Sequence, residues 1–346
     1  MRKFKLLLAS LPLLLMMSAC VAEPTGTNTS RLNTVKSRNN LICGVSGELP
    51  GFSFVDASGN YSGLDVDVCR AVAAALFDNP NAVEFRNLNA KERFTAVQTG
   101  EVDILSRNTT WTMSRDTSVG LDFAPVVFYD GQGMMVRQNS NIKSLEDLKG
   151  KAICTQTGTT NEQNLADQMR KRGITYKPVV FEDINTAYAT YEQGRCDAVT
   201  SDKSQLISRR TTLPKPEEHI ILEQALSQEP LAPAVADGDS KWGDTVSWVV
   251  NTTIKAEELG INSENVEQLK TSSKDPEIRR LLGLEGDLGV SMGLPKDFGA
   301  RIIKHVGNYG EIYDRNLGSK TKLNLPRDSR NQPWTKGGLL YSPPFR

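Results

Sequence analysis

The feature that most constrains this chain is a regular exchange. Short apolar runs alternate with longer stretches that carry one apolar face, and glycine often closes those stretches. Leu41 to Val45, Phe52 to Val55, Val83 to Leu88 and Val102 to Leu105 read as strands. Ser58-Gly59-Asn60 is turn material. The stretch that opens at Asp65 puts Val68, Val72, Leu76 and Phe77 on one helical face. Asn89 can cap a helix over Ala90 to Thr99, with Glu92 as its reciprocal partner and Gly100 as its stop. The grammar then repeats: a short helix from Ser144 to Gly150, a strand Ala152 to Thr155, a helix Thr160 to Arg172, a strand Val179 to Phe181, a helix Ile184 to Gln193, and strands Asp197 to Thr200 and His219 to Leu222. Such alternation predicts α/β units on mainly parallel sheets, which bind ligands at the carboxyl ends of their strands.

The 346 residues suffice for two domains. Two stretches read as crossings between lobes: Tyr129-Asp130-Gly131-Gln132-Gly133, and Ser227 to Pro233 with Pro230 and Pro233. Two crossings make the first lobe discontinuous. The expected division is 38–130 with 231–346 for lobe 1, and 131–230 for lobe 2. Residues 21–37, rich in Thr, Asn and Ser, read as a flexible tether. From about Gly286 to Arg346 the chain is rich in Gly, Pro and Asn and reads as a packed irregular extension.

The first twenty residues differ in kind. Arg2, Lys3 and Lys5 precede an apolar run from Leu6 to Met17, and Ser18-Ala19-Cys20 follows. This is the layout of a secretory signal, and the run is too short for a membrane span. Met17-Ser18-Ala19-Cys20 resembles a bacterial lipobox, which would put a lipid on Cys20. Met17 stands where Leu is usual, and the alternative is an ordinary cut near Ala19 or Ala22. In an exported protein the remaining cysteines, Cys43, Cys69, Cys154 and Cys196, favour disulfides. Of three possible pairings, proximity and the lobe division favour Cys43–Cys69 and Cys154–Cys196; four buried thiols are the other possibility. Zinc is disfavoured, because there is no C-x-x-C and the chain has only His219 and His305. No nucleotide motif appears, so neither a metal nor a cofactor is expected. Lys plus Arg equals Asp plus Glu, which argues against nucleic acid as a partner.

Three polar stretches carry candidate chemistry. Gly100 to Arg115 ends a strand and opens into a loop with Arg107, Asn108, Thr109, Thr110 and Thr112. Thr155 to Asn161 opens a helix, whose free N–H groups favour a carboxylate. Gly194 to Asp202 ends a strand on a carboxylate that suits an ammonium group or, equally, a helix cap. An amino-acid zwitterion needs a forked cation for its carboxylate and an anion for its ammonium.

These stretches, with Tyr61 to Asp67, Phe123-Ala124-Pro125 and Leu145 to Gly150, closely resemble the polar amino-acid branch of bacterial periplasmic substrate-binding proteins (family 3), and most of all its general L-amino-acid binders. The resemblance runs from about Leu41 to Leu269. It implies a two-lobed periplasmic-binding-protein fold of type II and a non-enzymatic, monomeric component of an ABC importer that docks on a membrane permease. By motif, it puts Arg115 on the ligand carboxylate with Thr110 and Thr160, Asp202 on the α-ammonium with Asn108, and Glu48 and Phe52 near the ligand side chain, with the core as the equal alternative for Phe52. Arg107 departs from the basic-amino-acid binders, which have a small residue there and an aromatic residue near Ala90. That departure points to acidic or amide side chains, or to a broad site. The competing readings are an exported enzyme of the same fold, dehydratase-like, and a free-standing amino-acid sensor.

Overall fold

The computed structural model describes residues 30–327 and 329–346. The signal segment, Cys20 and the first part of the expected tether lie outside the described residues. Two five-stranded sheets carry the molecule. In the first the strand order is Val83–Asn87, Leu41–Val45, Ile104–Leu105, Ala234–Ala236, Leu121–Phe123. In the second it is Lys177–Phe181, Ala152–Gln156, Ala198–Asp202, Gln132–Arg137, His219–Ile221. The first three strands of each sheet pair in parallel. The fourth pairs antiparallel to both its neighbours, so each sheet is mixed.

That fourth strand is in both cases the one that follows a passage from one sheet to the other. Phe128–Asp130 leads out of the first sheet and Glu229–Leu231 leads back, and the two pair antiparallel in a ribbon of their own, Asp130 opposite Glu229. The order thus repeats because the same construction is used twice. A strand enters from the ribbon and fills the slot beside the third parallel strand.

The helices form where an apolar face can be buried. Leu64–Phe77 is covered along almost its whole length, with Val68, Val72 and Leu76 buried in one core with Cys43 and Val45 of the strand Leu41–Val45. Cys69 of this helix is bonded to Cys43 in that strand, and Cys154 in the second sheet is bonded to Cys196. Asn89 and Glu92 cap reciprocally: Asn89 Oδ1 accepts the Glu92 N–H at 2.9 Å, and Glu92 Oε1 accepts the Asn89 N–H at 2.6 Å. The helix itself is shorter than Ala90 to Thr99, running Arg93–Gln98.

Two expectations from composition are corrected. Residues 31–38 are not tether but a helix, Arg31–Arg38, with Leu32 and Val35 buried. The Asp239 carboxylate takes the Arg31 N–H at 2.5 Å, and Arg31 and Arg38 both reach the buried Asp103. Thr, Asn and Ser hid two apolar residues at helical spacing. The tail is not irregular either: it contains Leu288–Met292, Phe298–Val306 and Tyr309–Asn316. Phe298, Ile302, Ile303 and Val306 make one buried stripe, and Asn308 with Glu311 completes a capping box. Beyond these helices the tail reaches the ribbon. Asn331 accepts the Tyr129 N–H at 2.8 Å and donates to the Tyr129 carbonyl at 3.0 Å. Among the described residues no helix is long and apolar enough to cross a membrane.

The bridges close segments of 26 and 42 residues. Loop-closure entropy assigns each about 3–4 kcal/mol. Reduction, or Cys43→Ser with Cys69→Ser, should therefore lower the urea midpoint of unfolding, with the slope in urea rising because the released unfolded chain is more expanded.

Candidate ligand-binding site

Loops from the carboxyl ends of the parallel strands meet between the two sheets. The first leaves Ile104–Leu105. At its bend Asn108 has φ +33°, a left-handed conformation that Asn tolerates better than most residues. Its N–H is held at 3.0 Å by the Asp65 carboxylate, at the start of the disulfide-pinned helix. The Thr109 carbonyl then accepts the Ala232 N–H, and the Trp111 N–H reaches the Pro230 carbonyl. The loop is thereby tied to the helix on one side and to the ribbon on the other.

The facing wall comes from two loops of the second sheet. Thr159 caps the helix Thr160–Lys171, accepting the Glu162 N–H at 3.2 Å and donating to the Gln156 carbonyl at 2.6 Å. Gly158 lies at φ +73°, and a Cβ there would stand 3.2 Å from the Ala90 carbonyl across the gap. Asp202 ends the strand Ala198–Asp202 and precedes the helix Lys203–Arg210, yet its side chain does not cap that helix. Its carboxylate instead accepts Asn161 Nδ2 at 2.9 Å.

These walls enclose a narrow cavity lined by Arg93, Arg107, Asn108, Thr110, Gln156, Thr159, Thr160, Asn161, Asp202 and Gln205. Five of the sequence candidates (Arg107, Asn108, Thr110, Thr160 and Asp202) thus share one cavity. Arg115 stands behind Thr110. It is buried, donates to the Thr110 carbonyl at 2.8 Å and lies 5.0 Å from the Phe94 ring centre. Glu48 sits at the rim, taking Asn185 Nδ2 at 3.0 Å and facing Arg209 at 3.8 Å. Phe52 is in the core, 1% exposed and edge-on to Phe128. Of the two places open to it, pocket or core, its apolar ring takes the core.

Three residues escaped the sequence reading: Gln205, which lines the cavity and accepts Ser201 Oγ at 2.8 Å, and the two charged residues Glu229 and Arg93. Glu229, in the returning ribbon strand, is buried and accepts Thr110 Oγ1 at 2.6 Å, Thr160 Oγ1 at 2.8 Å and Asn164 Nδ2 at 2.8 Å. Both threonine hydroxyls, one from each wall, converge on this one carboxylate. The signal available was a carboxylate beside Pro230 within a crossing. Arg93 is 3% exposed and its Nε has no partner. It opens a helix whose other inward residues, Ala96 and Val97, are apolar, and a charge on such a face is the trace it leaves in the sequence.

Burial sets the electrostatics. Asp202 is pushed well above the usual carboxylate range, first by burial and then by Asp130 and Glu229. Asp130 is raised to about 6 and Asp65 to about 7, both mainly by burial. Burial also lowers Arg107 to about 10, and it brings Arg93 far down and Arg115 down. Among the described residues none of these three guanidiniums has a carboxylate within 4.0 Å. Cations line one wall, anions the ribbon and the other wall. Contacts also join the walls directly: Arg93 to the Gly158 carbonyl at 3.4 Å, Ser208 to the Pro50 carbonyl at 2.8 Å, and Lys91 to Glu182 at 2.7 Å. Among the described residues no cluster of His, Cys, Asp and Glu is suited to a metal.

Two mixed sheets joined by a ribbon, with a charged cavity between them, define a hinged, two-lobed binding protein of type II. The chain belongs to the bacterial extracellular solute-binding proteins, family 3, whose model matches residues 41–264. It is 50% identical over 324 residues (93% of this chain, 94% of the relative) to the general L-amino acid-binding periplasmic protein AapJ of Rhizobium johnstonii. It is 47% identical over 330 residues (95% and 97%) to the glutamate/glutamine/aspartate/asparagine-binding protein BztA of Rhodobacter capsulatus. A solved periplasmic binding protein from Brucella ovis, with glutathione bound, superposes with a TM-score of 0.89 at 50% identity, over 92% of this chain and 99% of that one.

Asp65 gives a test of the wall that carries Asn108. Its raised value makes the folded protein hold a proton that the unfolded chain has lost between about pH 4 and 7, so its contribution to stability falls as pH rises through that window. Asp65→Asn keeps an acceptor for the Asn108 N–H and removes the ionisation. Chemical denaturation across pH should show the variant gaining on the wild type from pH 4 to 7, and no further above it.

Proposed function

We propose that this protein captures free L-amino acids in the cavity between its lobes and delivers them, as a monomer, to an ABC permease. We take lobe 1 to be the sheet and helices of 30–130 with 231–346, and lobe 2 to be 131–230. The observation that carries the reading is the division of charge: guanidiniums on the lobe 1 wall oppose the Asp202 carboxylate on lobe 2, with no ion pair between them. A zwitterion supplies both missing counter-charges. Arg115 takes the carboxylate, with Thr110 and Thr160 turning their single O–H groups from Glu229 to the ligand, and the first turn of the Thr160 helix assists through its free N–H groups. Asp202 takes the α-ammonium, with the ribbon carboxylates Asp130 and Glu229 adding field. The names of the relatives support an amino-acid ligand.

Capture is physical. Ligand contacts made only with both walls in place stabilise the closed arrangement, and they shift the hinge equilibrium by that differential affinity alone. The cavity holds no histidine, and its buried acids are explained by ammonium recognition, so we read the site as binding without catalysis. The basic and apolar N-terminus supports export to the periplasm, and the Cys20 context supports a lipid anchor there.

Arg115→Ala and Asp202→Ala should each weaken binding at least tenfold, about 1.4 kcal/mol or more, by calorimetry. Unchanged affinity in both variants contradicts the assignment. The raised Asp202 adds a second readout. An ammonium seated against it favours the ionised form, so binding should release protons over the pH range in which the empty site still holds the Asp202 proton. Calorimetry in buffers of different ionisation enthalpy should detect that release, and Asp202→Asn should reduce it.

A further inference from the structure

The two strands of the ribbon are secured to lobe 1 in different ways. Glu229–Leu231 is tied along its outer edge by backbone: the Pro230 carbonyl accepts the Trp111 N–H at 2.8 Å, and the Ala232 N–H reaches the Thr109 carbonyl at 2.9 Å. Among the described residues no strand pairs with the outer edge of Phe128–Asp130. Tyr129 stands opposite Pro230, which has no N–H to give. Its own N–H and carbonyl go to one side chain, Asn331, from 202 positions further along the chain. A primary amide carries an acceptor and a donor side by side, as a peptide group does, so Asn331 closes the edge as one residue of a strand would. The Tyr129 hydroxyl adds a third contact with the tail, to the Leu339 carbonyl at 3.4 Å.

The tail that carries Asn331 is itself fastened to lobe 1. Arg327 pairs with Glu257 of the helix Ser240–Glu258 at 2.5 and 2.9 Å, and its guanidinium lies 4.9 Å from the Tyr309 ring centre. Its Nε holds the Asn331 carbonyl at 2.6 Å. Tyr309 in turn donates to the Val127 carbonyl at 2.5 Å. One cluster thus reaches the outgoing strand at Val127 and at Tyr129. Asn331 is 1% exposed, so water competes poorly for its place. The next residue changes sides. The Asp130 carboxylate accepts the Ser204 N–H at 3.2 Å and the Gly131 N–H at 2.8 Å, and the Gly131 carbonyl accepts the Lys203 N–H at 2.8 Å. Lys203 and Ser204 open a helix of lobe 2. A cavity of about 150 Å³ lies between that helix, at Lys203, Ser204 and Ile207, and the tail, at Pro326, Arg330 and Asn331. Lobe 1 therefore holds the outgoing chain up to Tyr129, and lobe 2 holds it from Asp130.

We propose that Asn331 is a hinge-positioning residue, which fixes Tyr129 to lobe 1 and confines lobe movement on the outgoing strand to the link between Tyr129 and Asp130. The inference rests on the reading of the cavity as a site that closes on an amino acid, and it gives the tail a part in affinity. Without the amide, Tyr129 turns about its own backbone bonds and the unliganded protein gains open arrangements. A ligand must then suppress those as well, so the binding-competent fraction falls and the apparent Kd rises in proportion. The cavity itself is untouched, so every ligand loses the same factor.

The test uses the full chain, with L-glutamate and L-glutamine as probes. Calorimetry should show Asn331→Ala raising both Kd values at least about threefold and by the same factor. Spin labels at Ser58→Cys and Gln193→Cys, exposed on lobes 1 and 2, should report a wider spread of distances in the unliganded variant than in the wild type. Asn331→Asp keeps the acceptor for the Tyr129 N–H and loses the donor, so it should fall between the two. Gln332→Ala removes a bond within the tail, to the Arg327 carbonyl, and should change neither reading. A merely structural Asn331 would lower the denaturation midpoint and leave Kd and label spread unchanged, and that result overturns the proposal. So does an equal loss in Gln332→Ala, or a loss in Asn331→Ala that differs between the two probes. If Asn331→Ala does not fold, Asn331→Asp decides by the same criteria. Failure of the amino-acid reading looks different: neither probe binds the wild type, while the label spread still tests the hinge.

Discussion

The arrangement depends on charges kept apart at close quarters. Arg93, Arg107 and Arg115 are buried on one side of a narrow gap, and Asp202, Asp130 and Glu229 on the other side and in the ribbon. Removing each ion from water is costly, and a direct ion pair would recover part of that cost. The fold withholds the pair. Asp202 is held by Asn161, Glu229 by two threonines and Asn164, and Arg107 by a backbone carbonyl. Neutral hydrogen bonds orient the ions without neutralising them. What remains is a field across the gap that a zwitterion satisfies and an apolar molecule does not.

The scaffold explains how such a field persists. The disulfide pins Leu64–Phe77 to its sheet, Asp65 of that helix holds the bend at Asn108, and the same loop is laced to the returning ribbon strand through Thr109 and Trp111. The cation-bearing loop is therefore fixed both to its own sheet and to the ribbon. Glu229 lies in the ribbon and receives a hydroxyl from each wall, so it bridges the two. The tail adds a brace on the other ribbon strand, where Asn331 satisfies both backbone groups of Tyr129. The matched part of the family model ends before this brace.

Much of this was legible in the sequence, and the failures are specific. The alternation of strands and helices was readable because apolar runs, caps and glycine stops agreed with one another, as at Asn89 with Glu92. Five cavity residues were readable because polar clusters at strand ends have one common destination in α/β folds. Composition misled at Arg31–Arg38 and in the tail, where small polar residues concealed apolar stripes that only tertiary packing rewards. Phe52 stayed open between pocket and core because a strand-end position does not reveal which way a ring turns, and the ring turns to the core. Arg93 was hidden because a lone arginine on a short helix resembles a solvated one, and Glu229 because a crossing strand carries no periodic signal.

The most direct measurement is the structure of the complex with L-glutamate. The account predicts the α-ammonium within about 3.2 Å of the Asp202 carboxylate and the α-carboxylate within similar reach of the Arg115 guanidinium. A bound ligand with its two charged ends on a single lobe, distant from both groups, would contradict it.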